Sequence, residues 1–207
     1  MLGTDAVERL ARPVVLHAVR GRLSLERLKG MGADVSRTAL GDPGLLARLL
    51  VPGNAEGRRF RLGLVPHYVD ERDPVFARVL RRIPGSRIIR VATDPPEFLA
   101  RLRECEMVIS SAMHGLIAAD SLGIPNLRAR VSDRLTGGDW KFHDYYSVFG
   151  SEPRPLSRED LWNLTASDLA RIGDSYPIES TSVSRVIDGL LASCPFIRGG
   201  DHGRRAA

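Results

Sequence analysis

The chain has 207 residues, with 30 basic and 25 acidic side chains and a formal net charge of +5. Apolar residues make up 43% of it, enough to build a core, which excludes a chain disordered throughout. The basic residues are nearly all Arg, with Lys only at Lys29 and Lys141. No basic stretch is interleaved with aromatics, so nucleic acid is not an expected partner and most arginines read as solvated surface.

Cys105 and Cys194 lie far apart and show no metal-ligand spacing, so no metal is expected and two buried thiols in a reducing compartment are. No apolar run approaches a membrane span, and the N-terminus lacks the apolar segment of a signal peptide. The expected location is the cytoplasm, with attachment to the inner face of the membrane compatible with it.

Val14 to Val19 reads as a strand ended by Arg20-Gly21, and Ser24 can cap a helix running to about Gly30. Ala39-Leu40-Gly41 is a short extended piece. Asp42-Pro43 reads as an N-cap followed by Pro at the first helical position, leading into Leu45, Leu46, Leu49 and Leu50. The turn-rich stretch from Pro52 to Gly57 is the candidate linker.

Strands are expected at Phe60 to Val65, Arg87 to Val91, Glu106 to Ile109 and Leu127 to Val131. Helices are expected at Pro74 to Ile83, where Val75, Phe76, Val79, Leu80 and Ile83 form an apolar stripe, and at Pro95 to Cys105. A further helix follows His114 and is closed by Gly123. Strands alternating with helices predict a parallel sheet covered on both faces, with ligands beyond the carboxyl ends of its strands. Ser132 to Gly150 breaks the pattern with a polar and aromatic stretch that reads as a long functional loop. Helices are expected again at 157–164, 166–172 and 181–192, with a disordered tail at 199–207.

The segment Ser110-Ser111-Ala112-Met113-His114-Gly115 concentrates the chemistry. It places an imidazole where a strand ends and a helix begins. Unpaired N–H groups and the helix dipole make such a junction an anion site. Gly115 allows close approach of a ligand to the backbone. Ser110 and Ser111 serve equally well as anion ligands or as caps. Arg20 ends a strand before a glycine and can reach an anion in a cleft, or else form a surface salt bridge. His67 and Tyr68 follow a strand end at the same edge. Lys141, His143 and Asp144 bring a cation, an imidazole and a carboxylate together, while Trp140, Phe142, Tyr145 and Tyr146 either pack the loop or stack on a sugar. No GxGxxG, GxxxxGK[ST] or GxSxG motif is present, which argues against dehydrogenase, NTPase and α/β-hydrolase chemistry.

The string SSAMHGLIAADSLGIPN resembles the hallmark segment of the polysaccharide pyruvyl transferase family. VRGRLSLERL, ALGDPGLLARLL and RLGLVPHYVD are similar to other segments of that family. GGDWKFHDYYSVFG resembles its succinoglycan-type branch. The resemblance runs from about Val19 to Gly150. It implies an α/β, GT-B-like fold of two Rossmann-type halves around a cleft. On that reading residues 1–54 are the end of an incomplete N-terminal half, and residues 55–198 are a Rossmann-like domain holding the His114 site.

The resemblance further implies transfer of pyruvate from phosphoenolpyruvate to two hydroxyls of a sugar, forming a cyclic ketal on a cell-surface polysaccharide or its lipid-linked precursor. Phosphoenolpyruvate is the donor substrate and no separate cofactor is implied. The donor carries a phosphate and a carboxylate, which suit a helix N-terminus and Arg forks. By this analogy His114 is the general acid that protonates the enol carbon. Ser110, Ser111 and Gly115 hold phosphate, Arg20 holds phosphate or carboxylate, and His67, Lys141 and Asp144 contact donor or acceptor. The family has a fuller N-terminal half, so a second copy or partner chain is an expected companion. Some relatives carry a basic residue two positions before the histidine. Here that residue is Ala112, so another Arg has to supply the charge. The alternatives are a shortened anion- or sugar-binding module without catalysis, and a nucleotide-sugar glycosyltransferase on the same fold.

Overall fold

The computed structural model describes residues 10–51, 57–134 and 137–196. The expected tail, and all of the candidate linker except Gly57, lie outside these residues. Two parallel sheets organise the chain. The first pairs β1 (Ala18–Val19) with β2 (Ala39–Leu40). The second contains β3 (Leu62–Val65), β4 (Ser86–Ile88), β5 (Val108–Ser110), β6 (Asn126–Arg130) and β7 (Leu156–Ser157), in the spatial order β4-β3-β5-β6-β7. Helices cover both of its faces, a Rossmann-like α/β arrangement.

The faces follow the two-residue period of the strands. Leu62, Leu64, Ile109, Leu127 and Ala129 point to one side and pack with Val75, Phe76 and Val79 of α2 (Pro74–Arg82). Leu161 of α6 (Arg158–Asn163) and Leu169 of α7 (Ala166–Asp174) close that layer. Val65 and Val108 point to the other side, against Leu99 and Leu102 of α3 (Pro95–Arg103) and Ala118 and Ala119 of α4 (Met113–Ser121). Beyond α4, a third cluster joins its Leu116 and Ile117 to Leu45, Phe142, Tyr145 and the α8 (Ser180–Ser193) residues Val183, Ile187 and Leu190.

Several local expectations need correction. The strand expected from Val14 shrinks to two residues, because β2 offers only two residues to pair with; Val15 is 81% exposed. The helix α1 (Arg22–Gly30) begins before Ser24, with Gly21 at its N-cap, so Ser24 lies inside it. Pro43–Leu50 is helical as expected, but of the tighter 3-10 kind, and Asp42 caps it by accepting the Gly44 N–H at 2.8 Å. The stretch read as a long loop contains α5 (Trp140–Tyr146), whose Phe142, Asp144, Tyr145 and Tyr146 are buried. Cys105 is buried and Cys194 only partly so, and both are free thiols.

The order β4-β3-β5 contains a switch point. After β3 the chain crosses through α2 to β4 on one side, then returns through α3 to β5 on the other. The loops leaving β3 and β5 therefore diverge and leave a crevice at the carboxyl edge, where open α/β sheets bind ligands.

Candidate active site

Both loops at the switch point carry predicted residues. His67 lies two residues past β3, and its backbone N–H donates to Ser111 Oγ at 2.8 Å, tying the two loops together. Ser111 in turn donates its own N–H to the Val65 carbonyl at 3.1 Å. Ser110 is fully buried. Its Oγ lies 3.0 Å from the Val65 carbonyl and 2.7 Å from the Ala112 carbonyl, and accepts the Ala112 N–H at 3.0 Å. These hydroxyls brace the turn that launches α4. Gly115 has a similar part: a Cβ there would lie 2.4 Å from Ser110 Oγ and 2.9 Å from Val65 Cγ1, so it lets the helix seat on the strand ends.

The helix α4 is apolar nearly all round, as a fully enclosed helix must be. Eight of its nine residues are buried, and His114 in its first turn is the single exception. The imidazole thus emerges beside the helix N-terminus while the rest of the helix is locked in the core. The 3-10 helix backs onto it: a Cβ at Gly44 would be 3.0 Å from Ile117 Cγ2 and 3.8 Å from His114 Cδ2.

Cations gather on neighbouring elements. Arg20 Nε donates to Asp42 Oδ2 at 3.0 Å, so the carboxylate that caps the 3-10 helix also aims Arg20. Arg128, on β6, is 2% exposed. Its guanidinium lies 3.7 Å from the centroid of the Phe142 ring and pairs with Asp139, while its Nε is buried without a hydrogen-bond partner. Lys141 Nζ lies 5.4 Å from the centroid of that same ring. Burial, then the charges of Arg128 and Arg20, hold the Lys141 amine below its ordinary range. His67 is also pulled down, by burial and then by Lys141, with Asp70 opposing. Like charges held this close favour an anion between them.

Asp144 stands apart from this group. It is fully buried, and its carboxylate accepts the Ser24 N–H at 2.8 Å and the Ser24 hydroxyl at 2.6 Å. Its work is to cap α1 from across the molecule. Arg20, His67, His114 and Lys141 were legible as candidates; Arg128 was missed. Its signal was present all the same: Leu127, Ala129 and Val131 alternate as a buried strand face, which leaves Arg128 pointing into the opposite layer. Among the described residues no cluster of three or more His, Cys, Asp or Glu side chains suits a metal ion.

A model of the polysaccharide pyruvyl transferase family matches residues 3–129. The chain belongs to that family. The matched residues include β1 through nearly all of β6, with Arg20, His67, His114 and Arg128; Lys141 and Asp144 lie beyond them. The chain is also similar to an uncharacterized protein of Acanthamoeba polyphaga mimivirus, 38% identical over 182 residues that cover 85% of this chain and 63% of the relative. The chain therefore spans less than two thirds of that relative's length. No solved structure matches. His114, within the matched residues, is the one exposed residue of an otherwise buried helix. Where a basic residue two positions earlier would lie, Ala112 is 5% exposed and packs with Val65, Ala118 and Ile124.

Proposed function

We propose that the chain transfers pyruvate from phosphoenolpyruvate to a saccharide as a cyclic ketal. The observation that carries this is the single exposed residue of α4, His114, standing at a helix N-terminus against the 3-10 helix whose cap Asp42 aims Arg20, with Arg128 and Lys141 grouped on the Phe142 ring. A trianionic donor meets there a helix dipole, two guanidiniums and an amine. Family membership supports a transferase with a saccharide acceptor. The two-stranded sheet of β1 and β2 supports the reading of a second Rossmann-type half in a GT-B-like arrangement.

The chemistry follows from charge. His114 gives its proton to C3 of the enol, making the methyl group and leaving C2 electron-poor. A sugar hydroxyl adds to C2 and loses its proton. The C2–O bond to phosphate breaks, and inorganic phosphate leaves with the bonding electrons. A second hydroxyl adds to the same carbon, gives its proton to the departing phosphate, and closes the ketal. Arg20, Arg128 and Lys141 hold the donor's phosphate and carboxylate throughout and stabilise the leaving group. His67, its imidazole pulled below the ordinary range by burial and by Lys141, serves as a hydrogen-bonding group at the rim.

The test is phosphoenolpyruvate-dependent phosphate release with a saccharide acceptor, alongside calorimetry with phosphoenolpyruvate. His114→Gln is expected to bind the donor and to lose turnover by at least about a hundredfold, the usual scale of a general acid. Undiminished turnover in that variant would remove His114 from the mechanism. Binding without turnover in the native chain would instead identify an anion-binding module.

A further inference from the structure

We propose that the pocket at the carboxyl end of β3, bordered by Tyr68, Glu71, Arg72 and Arg134, receives the acceptor saccharide, with a sugar ring lying against Tyr68. The inference rests on the transferase reading and gives it a second subsite. The pocket has a volume of about 480 Å³ and is lined by Tyr68, Val69, Glu71, Arg72, Asp73 and Arg134. That lies within the range of roughly 300–1,000 Å³ common for small-molecule sites.

Its position is right for an acceptor. The loop starts at His67, which is bonded to Ser111, three residues before His114. His67 feels Lys141 from the donor group and Asp70 from this loop. A ligand in the pocket therefore lies next to the donor site without sharing its cations.

Its chemistry is that of carbohydrate recognition. Tyr68 is 69% exposed, and its ring is braced by the His67 ring at 4.3 Å between centroids with a 36° tilt. A pyranose has an apolar C–H face that covers such a ring and a rim of hydroxyls that need partners. The rim here is polar and largely fixed. Glu71 is paired with Arg90 at 2.8 Å. Asp73 is held by Arg158 at 3.0 Å and by the Val75 N–H at 2.9 Å. Arg134 reaches Asp70 at 3.6 Å, and Asp70, fully buried, takes the Ser132 hydroxyl at 2.6 Å while its other oxygen has no partner. Carboxylates held in place by arginines can accept hydroxyl hydrogens. Phosphoenolpyruvate has no ring to lay on Tyr68.

The experiment uses the whole chain, a panel of p-nitrophenyl hexosides as acceptor probes, and the variants Tyr68→Ala, Tyr68→Phe, Arg134→Ala and Trp140→Ala. Trp140, 46% exposed and next to Lys141 in the chain, is a second exposed aromatic. Saturation-transfer NMR reads hexoside binding directly, whether or not a given hexoside is turned over. Tyr68→Ala is expected to abolish the saturation transfer and to raise the acceptor KM by about tenfold or more, the scale of one lost stacking contact. Arg134→Ala raises that KM less, Tyr68→Phe and Trp140→Ala leave it near the native value, and phosphoenolpyruvate affinity stays the same in all four. No hexoside signal in the native chain, or a signal unchanged by Tyr68→Ala, overturns the subsite, as does loss in Trp140→Ala alone. Failure of the native chain to bind phosphoenolpyruvate is a separate result, and it overturns the transferase reading instead.

Discussion

Asp144 accepts both the backbone N–H and the hydroxyl of Ser24, two residues separated by 120 positions. One carboxylate thereby caps α1 and pins it to α5. The adjoining contacts reinforce the junction: Arg22 donates its N–H to Ser147 Oγ at 2.8 Å and its Nε to the Ser147 carbonyl at 3.1 Å. A Cβ at Gly21 would sit 1.7 Å from the Asp144 carbonyl oxygen, so that residue has to be glycine. Asp144→Ala removes the cap and leaves a helix-end donor unpaired. We expect a loss of about 2 kcal/mol in stability, measured by urea unfolding, with phosphoenolpyruvate affinity little changed under native conditions. A large drop in donor affinity at unchanged stability would return Asp144 to the binding site.

Gly115→Ala sets two effects against each other. Alanine is the better helix former by about 1 kcal/mol. The added Cβ, however, meets Ser110 Oγ at 2.4 Å and Val65 Cγ1 at 2.9 Å, both in the packed seam between α4 and the sheet. Overpacking of that kind costs about 1–3 kcal/mol and wins. The variant is expected to unfold at lower urea concentration and to bind phosphoenolpyruvate more weakly, because the first turn of α4 has to lift.

Asp120 gives the fold a pH dependence of its own. Burial pushes its carboxyl up to about 6, against hydrogen bonds from Tyr145, Tyr176 and Asn126 that act the other way. Tyr145 donates to it at 2.6 Å and Asn126 at 2.7 Å, and the Tyr176 hydroxyl is also in contact. The folded chain therefore holds this proton more tightly than the unfolded chain. The stabilisation is complete below about pH 4 and is lost as pH rises through about 6. A shift of about two pKa units corresponds to roughly 3 kcal/mol. Asp120→Asn stays neutral, so its stability relative to the native chain should rise by that order between pH 4 and pH 8. Denaturant titrations at the two pH values read this difference; the opposite trend would show that the carboxylate is the preferred buried form.

Arg128 is expected to matter for the donor through its planar charge. Arg128→Met should weaken the binding of phosphoenolpyruvate and of inorganic phosphate by about tenfold or more in calorimetry. Arg128→Lys keeps the charge but loses the flat face that lies on Phe142, so an intermediate affinity is expected. Equal affinity in all three proteins would confine Arg128 to holding Asp139.

Local pattern in the sequence determined a good deal of this molecule. Strand-like runs located β3, β5 and β6, an apolar stripe located α2, and Pro after Asp located the start of the 3-10 helix. The apolar run after His114 placed an imidazole at a strand-to-helix junction. These features are legible because a strand or helix face records its own burial at fixed spacing. The resemblance of a few segments pointed to the family that the comparison then showed.

Which distant groups meet was settled by the packing of the whole chain. The α5 helix was unreadable because packing of Phe142, Tyr145 and Tyr146, rather than propensity, holds it. Ser110, Gly115 and Asp144 suit ligands by type, and the fold engages all three in packing and capping. Arg128 looked like one more surface arginine, and the fold buries it beneath Phe142 beside Lys141. Residue type and spacing carry chemical capacity. Whether a polar group is consumed by the protein or left for a ligand depends on partners brought together from across the chain, and that pairing leaves no local trace.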